Sequence, residues 1–565
     1  MRLHRGSYDL APYDHLISCA FEELRRDWYK LAARLSQREF VFHRRQLLLI
    51  TKLAALHCSA IGADLWKAPP GFFGTILLMA NDHFHYDLAV EARPDELDKV
   101  KRLFAEFIPV GYPLDSGNAY ILWSRGSKFR RTTQHVVAHL SEADTHLIPI
   151  GEGAGFRPEY KIVRSHLMLK YANQLRNHPQ FIDVTAEFQN AKGISLADYE
   201  ALCFGLFAKC VTLSPEDLQN GASAFTFREH NFHSMAIPKE SVALFLREMT
   251  TTPELLSARI KQRDYGSNDF TELRKRPLIS ASRGYLPIDL LFLAEKFESG
   301  PFWAINDISR NMGDRLRKFW GPVFEAYMND LLRDSLRQTG AVFVADPRDA
   351  TDPACQICDG LVLQGHSLVL LEYKSCMFTA ETKYSGNFEL LVDEIEKKLV
   401  RDKGESKKKG VEQLADAVAQ LFGVEPRTIV KDLDLSGVTR VYPLLVTLDG
   451  IGGSLLISRL LNHYFANFIS GRRSSRVEVK PLLCTDVESI EEVSGCFQSM
   501  SLAGFLDFWL SKDPNFMGAL TAFTVPELEG NRNVRMAREW HSLSSEISER
   551  SFPEEYAAAQ RAKDS

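Results

Sequence analysis

Residues Ile357–Ser375 read I-C-D-G-L-V-L-Q-G-H-S-L-V-L-L-E-Y-K-S. Two apolar runs flank Gly365-His366, a pair suited to the tight turn of a β-hairpin. With that pair as the loop, Gln364 stands opposite Ser367. Counting outward, Leu363 faces Leu368, Leu361 faces Leu370, and Asp359 faces Glu372. Side chains alternate along a strand, so Glu372 and Lys374 share one face and Asp359 lies across from them on that face. Two carboxylates and an ammonium then meet at the open end of an otherwise apolar hairpin. Hydrophobic burial does not explain such a trio, because buried charge is costly unless paired or bound to a cation.

The flanking segments have their own periodicity. Before the hairpin, Leu316, Trp320, Val323, Phe324, Tyr327, Met328, Leu331 and Leu332 recur at helical spacing within Gly313–Gln338, and Glu325 falls at the edge of that stripe. After it, Gly410–Phe422 reads as an amphipathic helix carrying Gln413. Thr439–Thr447 reads as a buried strand and Val477–Cys484 as another.

This order of helix, hairpin, helix and strand, with its charges, resembles the PD-(D/E)xK nuclease superfamily over roughly residues 300–510. Asp359 matches the first acid, Glu372 the second, and Lys374 the lysine one residue beyond. Cys358 stands where the family often has proline. Phe324-Glu325 through Leu331-Leu332 matches the family's F-E-x-x-x-x-x-L-L helix, and Gln413 its active-site glutamine. Ala417 replaces the tyrosine of the RecB-like Q-x-x-x-Y form. The resemblance implies a restriction-endonuclease-like α/β core, with a mixed sheet flanked by helices in the C-terminal half. It further implies a Mg²⁺- or Mn²⁺-dependent phosphodiesterase acting on nucleic acid, DNA in preference to RNA. Asp359 and Glu372 would hold the metal with the Tyr373 carbonyl, since Mg²⁺ takes hard oxygen ligands and keeps several waters. Lys374 would serve the attacking water or the developing charge. Glu325 would join through a second metal or a metal-bound water, and Gln413 would orient water or phosphate. One such core makes one nick, so double-strand cutting would require a homodimer or a second binding event. By analogy of build, a restriction or anti-phage defence effector is expected. The rival expectation is a catalytically silent scaffold, or a partner-dependent subunit of a nucleic-acid-processing complex.

Composition frames these readings. The 565 residues exceed one ordinary domain. They divide into a mainly helical N-terminal region (1–295), the nuclease-like core (296–515) and a charged helical tail (516–565). The net charge is −5. Residues 300–480 hold 24 Lys+Arg and 24 Asp+Glu, so contact with a phosphate backbone would depend on local basic runs. Two runs qualify. Lys397–Lys409, read as a loop, offers Lys403, Lys407, Lys408 and Lys409. Gly471–Lys480 offers Arg472 and Arg473. The first residues lack an apolar signal region and no stretch reaches membrane-spanning length, so a cytoplasmic protein is expected.

Other clusters carry less. Nine cysteines at irregular spacing suit a reduced protein. Cys355-x-x-Cys358 lacks the second pair that a zinc site uses. His135, His139 and His146 lack the H-E-x-x-H form. Helical patterns fall at Tyr13–Ser36, Arg45–Leu65, Pro94–Phe107, Lys161–Asn177, Ser195–Lys209 and Lys239–Thr250. Ser195 is placed to cap its helix. Gly151–Gly155 lacks the G-K-[ST] of a phosphate loop.

Overall fold

In the computed structural model, the described residues run from 158 to 564, less short internal stretches, the longest being 213–226, 256–273 and 513–532. The helical patterns before residue 158 and the histidines at 135–146 lie outside them.

The described part is mixed α/β. Four helices come first: α1 (Pro158–Gln174), α2 (Val184–Lys192), α3 (Leu196–Thr212) and α4 (Lys239–Met249). A small sheet follows, with β1 (Thr250–Thr251) parallel to β2 (Leu278–Ala281) and β2 antiparallel to β3 (Gly284–Pro287). The Ser195 hydroxyl accepts the Asp198 amide at 3.1 Å, as its capping position predicts. Then come α5 (Leu290–Asn306) and the long α6 (Arg310–Leu336), whose buried residues include the expected stripe from Leu316 to Leu332. Position 296 falls inside α5.

The central sheet orders its strands β10-β9-β6-β5-β4, with β11 also on β9. β4 (Val342–Ala345), β5 (Gly360–Gln364) and β6 (Ser367–Lys374) form an antiparallel meander. Gln364 pairs with Ser367 and Leu361 with Leu370, the register predicted from the turn. Gly365 adopts φ +58°, the left-handed conformation this turn requires. β6 then runs parallel to β9 (Arg440–Thr447), with Lys374 level with Thr447. A parallel pair needs a long crossover. Here it comprises α7 (Phe388–Ile395), the ladder β7 (Arg401–Asp402)–β8 (Lys407–Lys408), and α8 (Gly410–Phe422).

The 397–409 segment therefore differs from the expected loop. Leu399 and Val400 are buried and Arg401 pairs with Glu412, which fixes the chain there. The strand expected over Val477–Cys484 is divided into β10 (Glu478–Val479) and β11 (Leu483–Asp486). Pro481 stands between them and lacks the N–H a continuous ladder would need. α9 (Leu455–Ile469), α10 (Val487–Val493), α11 (Leu502–Lys512), α12 (Val534–Ser551) and α13 (Pro553–Asp564) complete the described chain.

Strand alternation splits the core into two layers. Val362, Val369, Leu371 and Tyr373 join α6 and the helices from both ends of the described chain. Leu361, Leu368 and Leu370 face Leu414, Val418, Leu461 and Phe465 of α8 and α9. The first layer also encloses a buried ionic network. Arg164 of α1 pairs with Glu298 of α5 and Glu491 of α10, and Tyr327 of α6 donates to Glu491. Among the described residues, no helix is long and apolar enough to cross a membrane.

Candidate active site

The hairpin ends where its charges begin. Glu372 and Lys374 share the parity of Leu368 and Leu370, so they stand on the α8–α9 side of the sheet. Glu372 is 1% exposed, and its Oε1 lies 2.6 Å from Lys374 Nζ. Asp359 falls one residue before β5, where the pairing ends at Gly360 and Leu371, and it acts electrostatically on Glu372 and Lys374. Its amide donates to the Leu371 carbonyl at 3.1 Å. Its Oδ2 accepts the Tyr373 amide at 2.7 Å, and its Oδ1 accepts Gln356 Nε2 at 3.3 Å.

The Lys374 carbonyl accepts Leu448 N–H on the β9 side. Backbone carbonyls alternate between the two edges of a strand, so the Tyr373 carbonyl points the other way, toward Asp359. The Tyr373 ring crosses to the α6 layer and meets Phe324 edge-on, with centroids 6.3 Å apart. That contact sets α6 against the end of β6 and brings the next residue, Glu325, within electrostatic range of the acids.

Electrostatics shows which charges act on one another. Burial pushes the Glu372 carboxyl up to about 7; Lys374 draws it down, while Asp359 and Glu325 push it further up. Burial also raises Asp359, with Asp346 adding to the shift and Lys374 and the Tyr373 amide opposing it. Burial, Asp359 and Asp346 push Glu325 up to about 7, against the pull of Lys374 and Arg348. Burial alone would depress Lys374; Glu372 and Asp359 outweigh it and hold the ammonium above the usual lysine range. Several carboxylates thus crowd around too few cations, an arrangement that favours a bound cation or a bound proton.

Asp346 is a member that periodicity does not reveal. It follows β4 with φ +50°, a left-handed conformation uncommon outside glycine that aspartate and asparagine adopt more readily than most. Its amide donates to the Asp359 carbonyl at 3.0 Å, and its Oδ2 lies 2.6 Å from Arg348 Nη2. Its Oδ1 is buried without a hydrogen-bond partner. The sequence signal is an acid directly after the apolar run V-F-V-A, but only the pairing of β4 with β5 brings it to Asp359.

Gln413 occupies the first turn of α8. That turn lies close to the site because residue 410 is glycine: a Cβ there would come 2.6 Å from Leu445 Cδ1 and 3.1 Å from Lys374 Cε. Among the described residues, the Gln413 side chain makes no hydrogen bond to the acids. The basic runs converge elsewhere on the same helix. Lys408 and Arg472 both pair with Asp416, the latter at 2.7 Å. Lys407 is exposed, while Lys409 precedes α8 and its amide donates to the Val400 carbonyl at 3.1 Å. Lys403 and Arg473 lie outside the described residues. Cys358 is buried and Cys355 half-buried, both as free thiols.

The donor set suits a hard divalent cation in part. Asp359, Glu372 and the Tyr373 carbonyl offer oxygens, and Asp346 offers an unpartnered one. Among the described residues, no group of three or more His, Cys, Asp or Glu side chains is arranged to hold a metal ion. Mg²⁺ is commonly held by one or two carboxylates and its own waters, not by an all-protein cage, and Asp359 and Glu372 are the carboxylates this site has for that mode. No family model matches the chain, and neither a curated protein nor a solved structure matches it.

Proposed function

We propose that the chain is a metal-dependent nuclease of the PD-(D/E)xK type, with a restriction-endonuclease-like core, and that DNA is its preferred substrate. One observation supports this most: Asp359, Glu372 and Lys374 act on one another at the open end of the hairpin, with Glu325 acting on them from α6. Nothing in the packing of the apolar hairpin requires that group.

Asp359 and Glu372 would hold Mg²⁺ or Mn²⁺, with the Tyr373 carbonyl as a further oxygen. When bound, the cation lowers the pKa of water and neutralises charge on a phosphoryl oxygen. The chain supplies the rest. Lys374 keeps its proton and is held by Glu372, so it acts as a fixed positive charge facing the reacting phosphate. Glu325, pushed up to about 7, can take or give a proton near neutral pH. Gln413, on the turn beside Lys374, would orient water or phosphate. Cleavage of both strands of a duplex would take two copies of the site. By analogy of build, it would act as a restriction or anti-phage defence effector.

The test incubates the purified full chain with single- and double-stranded DNA and RNA, in Mg²⁺ or Mn²⁺ and in EDTA. Metal-dependent cleavage lost in both Asp359→Ala and Lys374→Ala supports the reading. Absence of cleavage on every substrate, with an unchanged cellular phenotype in both variants, removes it in favour of a silent scaffold.

A further inference from the structure

The connection from β4 to β5 is folded into a small hairpin of its own. Ile357 N–H donates to the Pro347 carbonyl at 3.0 Å and Asp349 N–H to the Cys355 carbonyl at 3.1 Å. Arg348 bridges to Gln356, and Asp349 bridges to Val430. Lys431 N–H donates to the Arg348 carbonyl at 3.0 Å, and Ala350 N–H to the Ile429 carbonyl at 2.7 Å. The backbone at 348 is therefore held from both sides. From the two bridged positions, one side chain each reaches a site acid: Gln356 to Asp359 and Arg348 to Asp346.

The guanidinium is fixed but not consumed. Nη2 is 2.6 Å from Asp346 Oδ2, and Nη1 donates to the Ala354 carbonyl at 3.2 Å. Those bonds use two of the five N–H groups an arginine carries. The side chain remains 37% exposed. A phosphodiester approaching this site meets the field of Glu325, Asp346, Asp359 and the buried Glu372, and the Lys374 ammonium is already engaged by Glu372. Arg348 is the other cation acting on Glu325. A planar fork with free donors, held at the rim of an acidic site, matches the geometry of a phosphate.

We infer that Arg348 is a further substrate-binding residue of this site, receiving a backbone phosphate of the nucleic-acid strand while Asp346 holds its guanidinium in place. The inference rests on the nuclease reading above and adds to it a residue that no motif indicates.

The test measures binding of a labelled duplex by fluorescence anisotropy over a salt series, on the Lys374→Ala background to prevent turnover. Arg348→Gln is expected to weaken binding about ten- to a hundredfold, the loss of a charge-assisted contact. It should also flatten the slope of log K against log salt by about 0.9, the loss of one phosphate contact. With Lys374 intact, Arg348→Gln should raise KM more than it lowers kcat. Arg348→Lys keeps the charge and should keep the salt slope while losing part of the affinity, which separates binding from misfolding. Arg538→Gln, an exposed arginine on α12, serves as the reference for a general charge effect. If the parent protein binds the duplex and Arg348→Gln changes neither affinity nor slope, Arg348 has no such role. If the parent binds no nucleic acid, the nuclease reading fails and this inference falls with it.

Discussion

The Tyr373 amide donates to the Asp359 carboxylate at 2.7 Å, across the open end of the hairpin where β5 has already stopped. A side chain here replaces the carbonyl that a longer strand would have offered. This fixes Asp359 while leaving it among like charges, so Asp359→Asn separates two effects. The amide oxygen can still accept from Tyr373, and the negative charge that raises Glu325 and Glu372 is gone. The expected outcome is lost cleavage with a melting temperature at pH 8 raised by about 1 °C, corresponding to roughly 1 kcal/mol in a protein of this size. A lowered melting temperature would show that the carboxylate is chiefly structural.

Lys374 and Glu372 form a pair in which one partner is almost fully buried. Lys374→Met removes the ammonium and keeps the stem. At pH 8 it should cost about 3 kcal/mol, the usual result of leaving a buried charge unpaired. At pH 5 the cost should largely vanish, because Glu372 then takes up a proton. Denaturant melts at the two pH values measure the difference.

The metal-free protein should lose stability from about pH 5 to pH 8. Glu372 and Glu325 ionise near 7 in the fold but near 4.5 when unfolded. A carboxyl with a raised folded pKa binds its proton more tightly in the folded state. Its contribution is complete below the unfolded value and disappears as pH rises through the folded one. For Glu372 this amounts to something on the order of 3 kcal/mol; Glu325, more exposed, adds less. The raised Lys374 pKa is silent in this window, since its contribution fades only above the ordinary lysine range. Thermal melts in EDTA across pH 5–8 test the slope. Added Mg²⁺ should restore stability at the alkaline end, as a ligand that binds only the folded state does.

Arg164 is buried between Glu298 and Glu491. Arg164→Met should destabilise the protein by about 3–5 kcal/mol, because two carboxylates lose their shared counter-charge. The double variant with Glu491→Gln should recover part of that loss. Urea melts of the single and double variants provide the comparison.

The hairpin was legible because three local signals agree: the Gly365-His366 turn, the alternation on either side, and the charges at its end. The position of Glu325 at the edge of a buried helical stripe was legible from periodicity, while its candidacy for the site came from the resemblance. Asp346 was not, since its place depends on β4–β5 pairing across a connection with no repeating pattern. Its left-handed backbone is likewise imposed by tertiary contacts. The division of Val477–Cys484 hangs on Pro481, which the apolar pattern around it concealed. Gln413 lies on the expected helix, but packing of its first turn against Lys374 follows from Gly410, a residue that periodicity does not weigh.

The pairs that close the α6 layer join distant parts of the chain. Arg164 and Glu491 are 327 positions apart, and Arg535 meets Tyr171 across 364. During synthesis, α6 is made long before the residues that finish its surroundings. A nascent chain carries the hairpin and its charges while α10 and α12 have yet to emerge. Tyr327 of α6 meets Glu491 and Met536 only once residue 536 has been made, so a shorter polypeptide would hold the chemistry in its sequence before its supporting helix is fully packed.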